Sequence, residues 1–278
     1  NACRHSILHS TNEMRQHTKT LGQVFLHDQN IIKKIIRYAN PSPAQRIIEI
    51  GCGKGILSSA LANLGNELHI IEIDERWLST VKALNLANTT HHLCDVLTFD
   101  FSQFNGKSTI IANIPYNITT PILDHIIQYK NHVQELTIMI QKEVAERILS
   151  QPNSKTYGLL TIFCNFHFTI TKGFNVSRSC FKPAPNVDSY VLKLTPKRAP
   201  LSITDSHLFF AMARSLFWGR RKTILNCLTQ SPYIACTPNI KSNNEISELL
   251  ATRGETHSLT KLLSLFNNIK SDISIKKE

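Results

Sequence analysis

Apolar positions along the chain fall into short runs separated by amphipathic stretches. Ile31, Ile32, Ile35 and Ile36 recur at helical spacing, Pro41 and Pro43 break the rhythm, and Ile47, Ile48 and Ile50 then form a compact run with Glu49 inside it. This predicts a helix, a loop and a buried strand. The alternation continues with a helix through Leu57, Leu61 and Leu64, a strand at Leu68 to Ile73, a helix at Trp77 to Leu86, and a short strand at His92 to Cys94. Two more strands are expected at Thr109 to Asn113 and Thr137 to Gln141. Parallel strands need crossover helices, so the expected class is α/β, with a mostly parallel sheet covered on both faces.

After a helix at Lys142 to Leu149 the rhythm changes. Leu159 to Ile170 and Tyr190 to Leu194 read as two long strands forming an antiparallel edge, separated by a loop around Pro183 and Pro185. From Pro200 onward no strand is convincing, while 207–228, 243–252 and 258–267 read as helices. The expected organisation is a basic N-terminal arm at 1–20, a main α/β domain at 21–197 and a small helical domain at 198–278.

Composition narrows the class of partner. Of 278 residues, 42% are hydrophobic and 18% charged, which excludes a disordered or collagen-like chain. Lys and Arg number 31 against 20 Asp and Glu, a net charge of +11 that favours an anionic partner such as nucleic acid. The excess is densest near the C-terminus, where residues 196–278 hold 12 basic and 6 acidic side chains. A polyanion gains most from counterion release there. Seven cysteines, with no Cys-x-x-Cys pair, indicate neither a disulfide framework nor a zinc ribbon, and suggest a reducing, cytoplasmic setting. Residues 1–19 lack the apolar segment of a secretory signal, and no stretch offers 18 uncharged apolar residues for a membrane span. The chain opens on Asn1 and not Met, so a start further upstream is expected.

The first chemical signal is Glu49-Ile50-Gly51-Cys52-Gly53-Lys54-Gly55, which follows a strand and opens a helix, where an open α/β sheet binds nucleotides. Glycine lets the backbone approach a ligand closely, although glycines also serve tight strand-to-helix turns. Glu72 lies 21 residues beyond Gly51, at the end of the second strand, where a carboxylate can accept from both ribose hydroxyls. The Gly-x-Gly-x-Gly spacing differs from the Gly-x-Gly-x-x-Gly of pyrophosphate-binding dehydrogenases, so an adenosyl group without phosphates fits better. Asp95, after the third strand, could accept from an adenine amino group, with Val96 adding backbone and apolar contacts. By itself an aspartate there is commonly a turn or cap residue.

The second signal is Asn113-Ile114-Pro115-Tyr116, immediately after the fourth strand and facing the same crevice. An aromatic exocyclic amine is a poor nucleophile because its lone pair is delocalised. A site can counter this by accepting both N–H bonds in a geometry that favours a pyramidal nitrogen. The Asn113 side-chain oxygen and the Ile114 carbonyl can supply these acceptors; Pro115 fixes the backbone and Tyr116 offers a face for a stacked purine. Outside this context, Asn-x-Pro-Tyr is equally an Asx-turn ending a strand.

These residues, with Leu21-Gly22-Gln23-Val24-Phe25-Leu26, Ile71 to Asp74, Gln141 to Arg147, Phe181 to Ser189 and Arg220 to Thr223, resemble in order the ribosomal RNA adenine dimethyltransferase family. The resemblance runs from about Thr20 to Leu263. It implies a Rossmann-like methyltransferase sheet, with a smaller C-terminal helical domain, that uses S-adenosyl-L-methionine without a metal and yields S-adenosyl-L-homocysteine. The implied reaction is N6-dimethylation of two adjacent adenosines near the 3′ end of small-subunit rRNA, within a pre-ribosomal particle; separately, a monomer with no membrane partner is expected. Carried over, it makes Gln23 and Leu26 a lip over the cofactor, Gly51 and Gly53 the turn beneath it, Glu72 the ribose ligand and Asp95 the adenine ligand. Glu49 and Val96 join the cofactor-binding set, and Asn113 touches both cofactor and target amine. Phe181 becomes a second aromatic wall, so that a flipped adenine lies between it and Tyr116, with a simple core residue as the alternative. Two departures stand out: Val24 occupies a position where the family commonly has a polar side chain, and Cys52 replaces the usual Pro.

Arg220, Arg221 and Lys222 form a basic cluster on a predicted helix beside Phe217 and Trp218. With Arg147 they are assigned to RNA phosphates, although a solvated helix face is the ordinary reading of such a run. Cys164 and His167 have metal-like spacing but sit in an apolar run without a second pair, which favours a structural role. His91 and His92 suggest no metal. Three alternatives stand beside the dimethyltransferase reading: a related large-subunit adenine methylase, a non-catalytic assembly or nucleic-acid-binding protein on the same fold, and a nicotinamide oxidoreductase, the last disfavoured by the glycine spacing.

Overall fold

The computed structural model describes residues 24–114, 118–198, 203–242 and 246–276. The expected arm at 1–20 lies outside them, as do Gln23, Pro115 and Tyr116. In chain order the elements are β1 (Phe25–Leu26), α1 (Gln29–Ala39), β2 (Arg46–Ile50), α2 (Ile56–Ala62), β3 (Leu68–Glu72), α3 (Glu75–Lys82), β4 (Thr89–Leu93), β5 (Ser108–Asn113), α4 (Thr119–Gln128), β6 (Val133–Gln141) and α5 (Lys142–Ile148). Then follow α6 (Leu159–His167), β7 (Phe168–Val176), β8 (Phe181–Lys182), β9 (Ser189–Pro196), α7 (Ser206–Trp218), α8 (Ile224–Gln230), β10 (Ile234–Cys236), α9 (Ser247–Leu250), α10 (Leu259–Ile269) and β11 (Ile273–Ile275).

The main sheet runs β4-β3-β2-β5-β6-β9-β7. The first five strands are parallel, and β9 is antiparallel to both β6 and β7. The reversed strand is thus second from the edge, with β7 outermost. β2 and β3 are buried along nearly their whole length, as parallel strands covered on both faces require. Helix α1 shows how local chemistry sets the boundaries. Asp28 accepts from the N–H groups of Asn30 and Ile31, Asn40 closes the helix in the left-handed region at φ 47°, and Ile32, Ile35 and Ala39 supply the buried face. From β2, successive connections run to β3 and β4 on one side and to β5 and β6 on the other. The order therefore reverses at β2, opening a crevice at the carboxyl ends of β2 and β5.

Four sequence expectations are corrected. The segment from Leu159 to Ile170 is helix α6 followed by the start of β7. Its residues are apolar all round because the helix is buried, with Leu160, Ile162, Phe163 and Cys164 inside; apolar content alone does not separate that case from a strand. The domain boundary also moves. The chain forms two compact units, one ending at Ala145 and resuming at Phe168–Arg198, the other combining Glu146–His167 with the residues after 198. The reason is aromatic packing within the second unit: Phe163 and His167 lie 5.7 and 5.5 Å from the Phe210 ring, and Phe166 stacks on Phe209 at 5.4 Å. This unit is not purely helical, since β10 and β11 pair antiparallel from Ile234↔Ile275 to Cys236↔Ile273. The expected helix over 207–228 is two helices, α7 and α8, broken at Gly219 to Thr223, where Thr223 caps α8 by accepting from the Asn226 N–H.

Candidate functional site

Parallel register brings the first two signals together. Ile50 pairs with Ile71 on one side and Ala112 on the other, so Gly51, Glu72 and Asn113 emerge at the same sheet edge. The Gly51 N–H donates to the Ile71 carbonyl at 2.9 Å. A Cβ added at Gly51 would lie 3.8 Å from the Asn113 carbonyl oxygen, so the glycine turn and the Asn113 strand end are direct neighbours.

The three glycines of the turn all lie in the left-handed region, at φ 77°, 48° and 78°. Two are also fixed by packing that the sequence did not reveal. At Gly53 a Cβ would meet the Phe25 ring at 2.9 Å, and at Gly55 it would meet Val81 of α3 at 2.8 Å. Phe25 itself packs on Trp77 with ring centroids 4.7 Å apart, and the Lys54 ammonium lies 5.0 Å from its face. The lip is therefore an aromatic plate resting on the turn. It is held by the pairing of β1 with β8, in which Leu26 faces Phe181 and Phe25 faces Lys182. The His27 N–H extends this pair by donating to the Cys180 carbonyl at 2.9 Å. Strands of two residues carry no periodicity, so only their meeting exposes the arrangement. Val24 is half-buried against the same apolar cluster.

Glu72 ties the turn to β3. One carboxylate oxygen accepts from the Cys52 N–H at 3.1 Å and from its thiol at 3.6 Å; the other accepts from the Asp74 N–H at 2.9 Å. Burial pushes the Cys52 thiol well up, and the neighbouring Glu72 and Glu49 push it in the same direction. Glu49 sits one residue before the end of β2 and is 0% exposed. Neither of its oxygens has a hydrogen-bond partner, and the buried Ser58 hydroxyl of α2 lacks one too. Burial raises the Glu49 carboxyl to about 8; Glu72 adds to the rise, and Ser58 opposes it. Asp95 caps the short 3₁₀ turn Val96–Thr98, its Oδ1 accepting from the Leu97 N–H at 2.9 Å, and Val96 is buried beside it.

Asn113 ends β5 half-buried, and Ile114 is buried with its N–H donating to the Met139 carbonyl at 3.0 Å. That bond fixes the Asn113–Ile114 peptide at the strand end. Phe181, at 2% exposure, lies in the core under the lip, as its core alternative has it. A shallow depression of about 530 Å³ beside Glu67, Leu86, Asn88, Thr89 and Thr90 lies at the amino ends of β3 and β4, away from this crevice.

In the second unit the expected basic cluster divides. The Arg220 guanidinium pairs with Glu255 at 2.8 Å and donates to the Lys155 carbonyl at 2.8 Å, so it anchors loops. Lys222 donates to the Gln230 side chain at 2.6 Å and lies over the Trp218 ring at 4.8 Å. Arg221 and Arg147 are exposed. The cluster occupies the break between α7 and α8, not a helix face. Cys164 is buried within α6, and among the described residues no group of three His, Cys, Asp or Glu side chains is placed to hold a metal. Among the same residues, no helix is long and apolar enough to cross a membrane.

The family model described as ribosomal RNA adenine dimethylase matches residues 14–264. Curated relatives include the ribosomal RNA small subunit methyltransferase A of Chlorobium limicola, 36% identical over 259 residues and covering 91% of this chain and 93% of the relative. Another is the protein of the same name from Streptococcus pneumoniae, 37% identical over 269 residues, with 91% of each chain covered. A solved structure of a dimethyladenosine transferase from Plasmodium falciparum superposes with a TM-score of 0.74 at 29% identity, over 90% of this chain and 99% of the other.

Proposed function

The chain belongs to the ribosomal RNA adenine dimethylase family, and we propose that it dimethylates N6 of two adjacent adenosines near the 3′ end of small-subunit rRNA with S-adenosylmethionine as donor. The reading includes a pre-ribosomal particle as substrate, a cytoplasmic setting and a monomeric enzyme. The observation that carries it is the juxtaposition of the Gly51 turn with the Asn113 strand end at one sheet edge. The donor supplies a methyl group on a positively charged sulfur that leaves as a neutral thioether, so no metal and no prior deprotonation are required. What remains for the protein is alignment and preorganised dipoles.

Each residue then has a task. Glu72, held by two N–H groups, presents its carboxylate to the ribose hydroxyls. Asp95 uses the carboxylate oxygen not engaged by Leu97 for the adenine amino group, and Val96 packs against the ring. Gly51 and Gly53 admit the cofactor against bare backbone, with Gln23 and Leu26 over it. The Asn113 side-chain oxygen and the Ile114 carbonyl accept the two N–H bonds of the target amine and turn its lone pair toward the methyl carbon. Pro115 restricts the following backbone, and Tyr116 stacks the extruded base. The buried orphan oxygens of Glu49 and the unpartnered Ser58 hydroxyl fit a polar ligand group at the turn, which a purely apolar packing role does not explain.

Replacing Asn113 by Ala removes one acceptor from the reacting nitrogen. The expected outcome is a loss in turnover on the order of 10²–10³-fold with RNA binding retained. It is measured by incubating the protein with unmethylated small subunits and labelled donor, then locating the label. Unchanged turnover of the variant, or label on large-subunit RNA, contradicts the reading.

A further inference from the structure

We infer that the Glu49 carboxyl carries a proton in the ligand-free protein and releases it to solvent when a primary ammonium group, the amino end of the cofactor, docks against it. This deepens the reading above and rests on it. Two carboxyl groups meet beneath the glycine turn, Glu49 from β2 and Glu72 from β3, and their environments differ. Glu72 receives the Cys52 N–H and thiol on one oxygen and the Asp74 N–H on the other. Glu49 is fully buried and neither oxygen has a well-formed hydrogen bond, the Ser58 hydroxyl being the one neighbour that eases its ionisation. A buried carboxylate without donors is expensive, and a second negative charge beside it makes ionisation harder. Glu49 is therefore the carboxyl that keeps its proton, because burial without a strong donor disfavours its charged form.

The other groups facing Glu49 do not supply a counter-charge. They are the Glu72 carboxylate from β3, the Cys52 thiol from the turn and the Ser58 hydroxyl from α2. None of the ion pairs among the described residues involves Glu49. What the pair lacks is a cation with several N–H donors, which is what a primary ammonium provides and a carboxylate or phosphate does not. The exchange balances: the neutral acid and the ammonium ion become a carboxylate–ammonium ion pair plus one proton taken by buffer. Because burial and Glu72 raise the free group to about 8, most Glu49 is protonated at pH 7, and nearly one proton is released per ligand bound there. Affinity for an ammonium-bearing ligand should rise by up to about tenfold per pH unit between pH 6 and 7.

The test is isothermal titration of the full chain at pH 7, in two buffers of different ionisation heat, with two probes. S-adenosylhomocysteine carries the amino group; 5′-methylthioadenosine keeps the adenine, ribose and thioether but has none. Release of close to one proton with the first probe and none with the second is expected, and Glu49→Gln should abolish the release and flatten the pH dependence. The two probes are compared in the unaltered protein, so the result survives even a variant that fails to fold. Binding of S-adenosylhomocysteine without proton release, or equal release with both probes, overturns the inference while leaving the cofactor reading intact. If neither probe binds, the cofactor reading itself fails.

Discussion

At residue 53 the backbone lies at φ 48°, and a Cβ there would approach Cδ1 of Phe25 to 2.9 Å. Two separate penalties attach to any side chain at that position: the left-handed conformation, about 1–3 kcal/mol for a residue other than glycine, and displacement of the aromatic plate. Gly65, at φ 80° with open space around it, isolates the first penalty. Both Gly53→Ala and Gly65→Ala should lower the urea midpoint, but only Gly53→Ala should also weaken S-adenosylhomocysteine binding, because only there does Phe25 have to leave the turn. Equal cofactor affinity in the two variants would show that the plate plays no part in the site. The sequence made the need for glycine legible through Gly-x-Gly-x-Gly. It did not show that a phenylalanine from the β1 lip supplies part of the reason. Glu72 and Asp95 were similarly placed by their positions after strands, whereas the commitment of Arg220 to Glu255 depends on a partner 35 residues away and has no local signature.

Elements were readable where a short apolar run is bounded by turn residues. β2, β3 and β5 met that condition, and the crevice they build followed from their order. α6 did not, because a helix buried on all sides loses its polar face, and its aromatic partners on α7 lie some 40 residues further along the chain. The edge of the sheet holds a tighter constraint than its composition suggests: a Cβ at Gly173 of β7 would collide with the Val191 carbonyl oxygen of β9. Gly173→Ala should therefore part the β7–β9 ladder, costing on the order of 1–3 kcal/mol by denaturant melting; an unchanged midpoint would refute this contact. At the opposite edge, β3 and β4 share a proton-sensitive link. His69 Nδ1 and His92 Nε2 are 2.9 Å apart, and His69 Nε2 is 2.8 Å from the Glu67 carboxylate. Burial, then His69 and His91, hold His92 below its ordinary value. The unfolded chain thus binds the proton more readily, so this contribution is present above about pH 6.5 and is lost as pH falls toward the folded value. His92→Gln should flatten the decline in urea midpoint between pH 7 and 5.5; parallel decline in both proteins would remove His92 as its source.

For the molecule as a whole, the net charge of +11 predicts a polyanionic partner but does not say which cations meet it. The structure separates two kinds of arginine in adjacent positions. Arg220 is engaged by the Glu255 carboxylate and by the carbonyls of Ser154 and Lys155, so its charge is already spent on holding the second unit's loops. Arg221 is exposed, as is Arg147, and each can neutralise a phosphate without breaking an internal bond. Counterion release makes the distinction measurable: each phosphate neutralised contributes about 0.7–0.9 to the slope of log affinity against log salt, depending on whether the RNA is single- or double-stranded. Arg221→Ala should weaken binding to small-subunit RNA and reduce that slope by nearly one phosphate equivalent, with thermal stability unchanged. Arg220→Ala should do the reverse, lowering the melting temperature while leaving the slope in place, because the lost partners are a carboxylate and two carbonyls and not a phosphate. Filter binding across 50–300 mM salt, paired with thermal melts of both variants, separates the two roles. A reduced slope for Arg220→Ala together with an unaltered one for Arg221→Ala would place the phosphate contact on the residue that the fold has already engaged, and would require the Arg220–Glu255 pair to open whenever RNA binds.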